Sequence, residues 1–215
     1  MRKVLLFLPI LLMASLASFA QQDEGRSPYQ MRTLLGPDTE HGFFLAGSMM
    51  ASEFDGNDGL LAGGKLGWVI DHWFTFGLAG YGLTNPIYIE DLNDQNVNRN
   101  IGLGYGGLYF EPRLFSEAAV HVAFPIIMGS GGASFSSSSE YYYNNVSGEW
   151  EQYQQESDAF FFVEPGIELE VNISRYFRIG LAGTYRMVDG LNLTQLDPNA
   201  LNGFSGGVNL KVGAF

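Results

Sequence analysis

The sequence predicts an all-β protein, an eight-stranded antiparallel transmembrane up-and-down β-barrel. Three observations predict this fold: apolar and polar residues alternate along 160–187, residues 1–20 form an export signal, and no later apolar run reaches the roughly 20 residues of a membrane helix. An exported chain that enters a membrane without apolar helices has to pair all its backbone groups in a closed sheet. A barrel is therefore expected.

The N-terminal 20 residues have the pattern of a secretory signal peptide. Arg2 and Lys3 precede an apolar run over 4–13, and the small residues Ser18 and Ala20 precede Gln21. We expect cleavage after Ala20, a periplasmic N-terminal tail over 21–41 and an outer-membrane barrel over 42–215. The chain has no cysteine, so neither a disulfide nor a lipid-modified cysteine is expected to anchor it.

Eight segments have the composition and length of strands, and the connections between them alternate in length. Barrels of outer membranes have short periplasmic turns and longer external loops, so both chain ends are expected on the periplasmic side. The strand-like segments are 42–52, 59–71, 73–84, 101–115, 118–130, 158–173, 176–188 and 203–215. The short turns lie near 71–72, 116–117 and 174–175, and the long polar loops are 53–58, 85–100, 131–157 and 189–202.

The alternation gives each predicted hairpin an apolar face and a charged face. Phe161, Val163 and Ile167 share one parity, whereas Glu164 and Glu168 share the other. A soluble sandwich would bury the apolar face, but the export signal favours a barrel that turns this face to lipid.

One segment breaks the pattern. Ile101, Leu103 and Tyr105 share their parity with the charged residues Glu111 and Arg113. A β-bulge near Gly106-Gly107 would return these apolar residues to the lipid face, and we expect one there.

The polar parity collects charged and titratable side chains in the lumen. Because an eight-stranded barrel is about filled by its own side chains, we interpret them as a buried salt-bridge network that fixes strand register. An ion path or proton relay is the alternative. The residues are Lys65, Glu111, Arg113, His121, Glu164, Glu168, Glu170, Arg178, Arg186 and Lys211.

Aromatic residues gather beside the predicted short turns, where a barrel meets the membrane interface. Core packing in a soluble β protein is the alternative interpretation. The predicted membrane-interface aromatics are Trp68, Trp73, Phe74, Phe115, Tyr176, Phe177 and Phe215.

The long loop 131–157 is the candidate external binding loop, because loops on a rigid scaffold vary freely and tyrosine and tryptophan favour recognition. An external protein or glycan ligand is the expected partner, and a simple β-extension of two strands is the alternative. The candidate contact residues are Tyr141, Tyr142, Tyr143, Trp150 and Tyr153.

The formal net charge of −12 makes nucleic acid an unsuitable partner. The outer loops are rich in acidic residues, and they are expected either to share divalent cations with lipopolysaccharide or merely to keep the loops soluble. We predict no cofactor and no metal site.

Four segments resemble the small outer-membrane β-barrel proteins of the OmpA-like or OmpX-like class, in a variety found among Bacteroidetes. They are 63–85, 101–111, 161–188 and 206–215. The resemblance implies residence in the cell outer membrane of a Gram-negative cell envelope, contact with outer-membrane lipid, and insertion by the barrel-assembly machinery. The class includes structural anchors, adhesins, stress-protection proteins and a few lipid-modifying enzymes.

The function we expect is therefore that of a non-enzymatic integral outer-membrane barrel with a structural or surface-interaction role. A lipid- or peptide-processing enzyme at the outer rim and a narrow ion channel are the alternatives. Of the three histidines, only His121 is expected in the lumen as a candidate base, and no G-x-S-x-G elbow supplies a nucleophile.

Overall fold

The computed structural model of the protein describes residues 39–54, 56–85, 87–90, 98–137, 141–144, 148–152, 156–193 and 199–215. The predicted signal peptide and most of the predicted tail lie outside these residues. Among the residues described, no helix is long and apolar enough to cross a membrane. They contain the strands β1 (His41–Phe54), β2 (Asn57–Ile70), β3 (Phe74–Leu83), β4 (Ile87–Glu90), β5 (Asn98–Leu114), β6 (Val120–Ala123), β7 (Ile126–Ser137), β8 (Tyr141–Asn144), β9 (Glu149–Gln152), β10 (Glu156–Ser174), β11 (Phe177–Asp189) and β12 (Gly203–Gly213).

The strands close into a ring in which every neighbouring pair is antiparallel. The order is β1, β2, β3, β5, then β6 with β7, then β10, β11 and β12, and β12 pairs with β1 to complete the ring. β6 and β7 together occupy one strand position of the barrel, with an interruption at Phe124 and Pro125. Both parts pair with β5 and β10. The predicted eight-stranded antiparallel up-and-down barrel is confirmed.

The strands are staggered around the ring. If each residue is followed to its paired neighbour around the barrel, a path that starts at Ser130 returns to the same barrel strand at Val120. The register has then shifted by ten residues. Such a stagger tilts the strands against the barrel axis, so side chains that meet in the lumen come from distant sequence positions. The path runs through Gly106, Gly80, Gly64, Gly47, Leu210, Ile179 and Val171.

Apolar side chains cover the outside of the ring. β1 alternates between exposed and buried residues along all 14 of its positions, as a strand with two unlike faces does. Leu181 on β11 is 63% exposed, whereas its neighbour Ala182 is buried. Other large apolar side chains that the ring exposes include Phe43, Leu45, Met49, Leu66, Leu78, Leu108, Phe161, Ile167, Ile173, Phe204, Leu210 and Val212.

The β-bulge predicted near Gly106-Gly107 is wrong. β5 keeps a single register with β3 and with β7 through this region. Ile101, Leu103 and Tyr105 instead point into the ring and are buried there. Their parity needs no correction, because the upper lumen is lined by apolar side chains and not by charges.

The upper lumen, at the end of the long loops, is filled by aromatic and aliphatic side chains. Part of the last long loop contributes to it, since Leu191, Leu193 and Leu201 are buried in the same apolar cluster. The loop is held by two hydrogen bonds: the main-chain N–H of Asn192 donates to the Asp158 carboxylate, and that of Val188 donates to Oδ1 of Asn202. The wall contributes Phe54, Leu61, Tyr81, Ile101, Leu103, Tyr105, Tyr109, Phe160 and Phe162.

Candidate functional site

The ten residues predicted to face the lumen all lie inside the ring, and none is more than 5% exposed. They come from β2, β5, β6, β10, β11 and β12, and the two-residue period of each strand turns them inward. Eight of them lie close to one another, and two lie apart. We call these eight residues the lumen charge network: Lys65, Glu111, Arg113, His121, Glu168, Glu170, Arg178 and Lys211.

Lys211 is the centre of the lumen charge network. Its Nζ lies 2.7 Å from Oε2 of Glu111 and 3.3 Å from Oε1 of Glu168, and it also donates to Oε1 of Glu170. Oxygens of these three carboxylates lie within 4.8 Å of one another, which is close enough to hold a metal ion. The ammonium group of Lys211 lies among them and offsets part of their negative charge, as a bound cation would.

Two ion pairs of the network cross the lumen from one side to the other. Lys65 Nζ is 3.1 Å from Oε2 of Glu168, and the two residues stand on β2 and β10. Lys211 and Glu111 stand on β12 and β5. In each case the strands are four places apart in the ring of eight, so these pairs connect opposite walls.

Glu170 contacts the histidine and the two arginines of the network. Its Oε2 lies 2.6 Å from Nε2 of His121, 3.5 Å from Nη1 of Arg178 and 3.7 Å from Nε of Arg113. A carboxylate with several donors suits a buried position, because its lone pairs are satisfied where water is excluded.

Glu111 is saturated in a similar way. Nη2 of Arg113 lies 2.7 Å from its Oε1, and the hydroxyl of Tyr109 donates to its Oε2. The same Nη2 is 2.7 Å from Oγ1 of Thr75 on β3. The network is therefore built from charge-assisted hydrogen bonds that fix the side chains and leave little freedom to rearrange.

Arg186 and Glu164 were predicted to join the salt-bridge network, but among the described residues neither makes a salt bridge. Arg186 donates from Nε to the Leu201 carbonyl at 2.8 Å, from Nη1 to the Tyr105 hydroxyl at 3.1 Å and from Nη2 to Ser52 Oγ at 3.3 Å. Glu164 accepts a 2.7 Å hydrogen bond from Thr184. The reason is their height in the barrel: both lie near the apolar upper lumen, where neutral hydroxyls and a loop carbonyl are the available partners.

The aromatic filling of the upper lumen escaped the sequence prediction. Phe160 and Phe162 share the parity of Glu164, which was a signal that the lumen changes from charged to apolar along β10. The contribution of Leu191, Leu193 and Leu201 had a weaker signal, since these leucines recur in a loop without a strand period.

Most of the predicted interface aromatics lie at the outer surface beside the short turns. Trp73, Phe115 and Tyr176 are exposed, and Phe74 and Phe177 are partly exposed. The ring of Trp68 packs near the rings of His41 and Phe43, whose centroids are 5.5 Å and 6.2 Å away.

Phe215 lies elsewhere. Its ring centroid is 5.6 Å from that of the buried Phe44 and 3.9 Å from the guanidinium carbon of Arg178. It therefore covers the opening of the lumen at the short-turn end of the barrel, which we call the lower mouth. It does not lie with the aromatic side chains on the outer surface. The physical reason is parity, because Phe215 shares the parity of the inward-facing Lys211.

The candidate external binding loop contains a separate two-stranded sheet, β8 with β9. Tyr143 pairs with Trp150, and Tyr142 pairs with Glu151. Tyr153 lies outside the described residues.

Comparison with known proteins gives structural likenesses at low sequence identity. No protein-family model matches the chain, and no curated protein matches it. The chain is similar in structure to the N-terminal β-barrel domain of Pseudomonas aeruginosa OprF, with 10% identity, a TM-score of 0.46, and coverage of 82% of this chain and 99% of that domain. It is similar to Neisserial surface protein A, with 11% identity, a TM-score of 0.47, and coverage of 82% and 97%. It is also similar to Ail, the attachment invasion locus protein of Yersinia pestis, with 13% identity, a TM-score of 0.46, and coverage of 80% and 97%.

Proposed function

We propose that this protein is a non-enzymatic integral barrel of the cell outer membrane, whose wall is structural and whose outer loops make surface contacts. One observation carries the proposal: the outside of the closed ring is apolar while charged residues are buried inside it. A soluble β protein has the opposite arrangement, with apolar residues inside and charges in water.

The size of the apolar surface supports membrane residence. Exposed apolar side chains of leucine, isoleucine, valine or phenylalanine occur at all eight strand positions of the barrel. Soluble monomers rarely expose a continuous apolar patch beyond a few hundred Å². Outer-membrane lipid is the solvent that suits this belt, and the barrel-assembly machinery is the partner we expect during insertion.

The geometry of His121 supports a role without catalysis. Its side chain is buried in the lumen, where its Nε2 is hydrogen-bonded to Glu170. A catalytic base needs access to its substrate, and a lipid or peptide at the outer rim does not reach this position.

The lumen contacts also argue against a conducting pore. Ion pairs span the lumen between opposite walls, and the apolar cluster fills the level above them. An ion would have to break charge-assisted hydrogen bonds to pass.

For the outer surface we propose recognition of an external protein or glycan by hairpin β8–β9. The hairpin combines Tyr143 opposite Trp150 with Glu151 opposite Tyr142. Tyrosine and tryptophan offer contact area with a polar group, which suits both kinds of ligand. Acidic residues at the outer end of the β1–β2 hairpin, Glu53 and Asp58, are the proposed partners of divalent cations shared with lipopolysaccharide.

Heat-modifiable gel migration tests membrane residence. Outer-membrane fractions are loaded with and without boiling, and a folded barrel is expected to migrate differently from the boiled, unfolded chain. Recovery of the protein in a soluble fraction, with no shift on boiling, would refute the proposal.

A loop replacement tests the surface role. Residues 141–152 are replaced by a short glycine-serine turn, and binding of the purified protein to a glycan array and to immobilised host proteins is compared with that of the unaltered chain. Loss of binding with an unchanged heat shift supports the hairpin as the recognition element. Equal binding by both proteins contradicts it.

A further inference from the structure

Phe44 is a second aromatic ring near the lower mouth of the lumen, and it packs next to Phe215. It is 2% exposed and lies on β1, opposite Gly67 of β2 and Gly213 of β12. A Cβ built on Gly67 would lie 2.5 Å from the Phe44 ring, and a Cβ built on Gly213 would lie 2.6 Å from the Cβ of Phe44. The two glycines therefore leave the space that the Phe44 side chain occupies inside the ring.

The two aromatic rings lie against the lumen charge network. The centroid of the Phe44 ring is 5.3 Å from Nζ of Lys211 and 5.9 Å from Cζ of Arg113. The Phe215 ring is 5.6 Å from the Phe44 ring, and Cζ of Arg178 lies 3.9 Å from its centroid. Because the faces of aromatic rings attract cations, three cationic groups of the network help to hold the rings in place.

Main-chain contacts also hold Phe215 in the lower mouth. The N–H of Ala214 donates to the carbonyl of Phe43 on β1 at 2.9 Å. The main-chain oxygen of Phe215 is 2.7 Å from Nδ1 of His72, in the turn between β2 and β3. Gly42 allows this segment to approach β1 closely, because a Cβ built there would lie 2.2 Å from the main-chain oxygen of Ala214. Phe215 is therefore fixed by contacts with two parts of the barrel wall.

Two clefts lie at this end of the barrel, and Phe215 lines both of them. One has a volume of about 200 Å³ and is also lined by Tyr176, and the other has a volume of about 330 Å³ and is also lined by Asn172. Of the eight residues of the lumen charge network, all of which the structure describes, Arg178 alone lines either cleft. The Phe215 ring covers the guanidinium group of this arginine. Phe215 thus lies between the clefts and the rest of the network.

We propose that Phe215 is a seal of the lower mouth, which keeps water at the short-turn end away from the lumen charge network, and that Phe44 is its inner layer. While the seal is in place, the charge-assisted hydrogen bonds of the network are in a medium of low dielectric constant, where such bonds are stronger. When Phe215 moves aside, the lower lumen becomes accessible from this end only, because the apolar cluster fills the upper lumen. The opened barrel then admits small polar molecules at one end but does not conduct ions.

Cysteine labelling tests the seal, because the chain has no cysteine of its own. Thr75→Cys places a thiol in the lower lumen, since Thr75 is fully buried and its Oγ1 is 2.7 Å from Nη2 of Arg113. Ser52→Cys places a thiol in the upper lumen, where Ser52 is buried beside Arg186. Each single-cysteine protein is refolded in detergent micelles and treated with a charged, water-soluble methanethiosulfonate. The rate of labelling is measured by mass spectrometry.

Removal of the Phe215 ring should expose the lower reporter alone. Phe215→Ala is expected to make labelling of Thr75→Cys about tenfold faster, a change that corresponds to about 1.4 kcal/mol, because the stacking and cation contacts of the ring are lost. Labelling of Ser52→Cys should stay slow. Phe43→Ala is the matched control, since it removes a neighbouring phenylalanine that is 63% exposed on the outer surface, and it should leave both rates unchanged.

Gly42→Ala disturbs the seal by a second route, because the added Cβ would push away the segment that carries Phe215. It should also make labelling of Thr75→Cys faster. Gly47→Ala, whose Cβ would meet no atom within 4 Å, is its control. Heat-modifiable migration shows which variants are folded.

Faster labelling in the lower lumen alone, in a folded Phe215→Ala or Gly42→Ala variant, supports the seal. Four outcomes would overturn it. They are rapid labelling of Thr75→Cys when Phe215 is intact, unchanged rates in the folded variants, equal acceleration at Ser52→Cys, and loss of the folded barrel in both variants. The last two would show that Phe215 supports the whole barrel and does not act at the mouth.

Discussion

Lys65 and Glu168 form an ion pair across the interior of the barrel, with Nζ 3.1 Å from Oε2, although their strands stand on opposite sides of the ring. Both side chains are almost completely buried. Such a pair sets the distance and the register of two walls that share no backbone hydrogen bonds. A one-residue slip of either strand would turn its charge out to the apolar face, so the pair also selects against wrong registers.

Removing one partner of this pair should be costly. Lys65→Met leaves Glu168 buried with less compensation, and we expect a loss of about 3–5 kcal/mol in the free energy of unfolding. The double variant Lys65→Met with Glu168→Met contains no uncompensated charge at this place and should recover most of that loss. Chemical denaturation in detergent micelles measures the free energy of unfolding of Lys65→Met, Glu168→Met and the double variant. A double variant that loses as much stability as the two single variants together would contradict the expectation.

Lys211 should be the most sensitive residue of the lumen charge network. Lys211→Met leaves the carboxylates of Glu111, Glu168 and Glu170 close together without their central cation. We therefore expect less folded barrel than for Lys65→Met, measured as the heat-modifiable fraction after refolding. Adding Glu111→Gln removes one of the negative charges and should restore part of it, and no restoration would argue against repulsion as the cause.

The period of two along each strand made the ring and its two faces predictable. In β11 it separates Arg178 and Thr184 from Leu181, and the structure places the first two inside and the third outside. The same rule explains why Phe215 lies over the lumen, since its parity is that of Lys211, although we predicted it at the membrane interface. These features depend on local alternation, which a single sequence displays.

The composition of the upper lumen was not predictable in the same way. The sequence showed that Tyr105 has the parity of the lumen-facing charges. Because we assumed a charged lumen along its whole length, we predicted a β-bulge that the structure does not contain at this place. One partner of Arg186 is the main-chain carbonyl of Leu201, and a backbone group in a loop leaves no residue-type signal in the sequence.

Two glycines offer a matched test of strand packing. A Cβ built on Gly107 would lie 2.1 Å from the carbonyl oxygen of Met128, whereas a Cβ on Gly183 meets no atom within 4 Å. Gly107→Ala should therefore destabilise the barrel by about 1–3 kcal/mol through overpacking. Gly183→Ala should be neutral or slightly stabilising, and equal effects of the two substitutions on thermal unfolding would contradict this account.

Arg186 should hold the last long loop in the upper lumen. Arg186→Met removes the hydrogen bonds to Leu201, Tyr105 and Ser52 while keeping a long apolar side chain. We expect faster amide hydrogen exchange in peptides that cover 186–193 and 199–204, and unchanged exchange in β2 and β3. Faster exchange throughout the barrel would instead indicate a general loss of stability.

Charge on the outer face distinguishes a lipid environment from water. Leu181 lies in the central part of β11, and Phe204 lies near the outer end of β12. In a membrane, Leu181→Arg should cost about 2–4 kcal/mol, and Phe204→Arg about 0–1 kcal/mol, because the penalty falls toward the interface. The two variants are compared by the free energy of unfolding from lipid vesicles, and the heat-shifted fraction in cells gives an independent readout. If the outer face were in water, both arginines would be tolerated, and equal stability of the two variants would exclude the bilayer as the solvent of this surface.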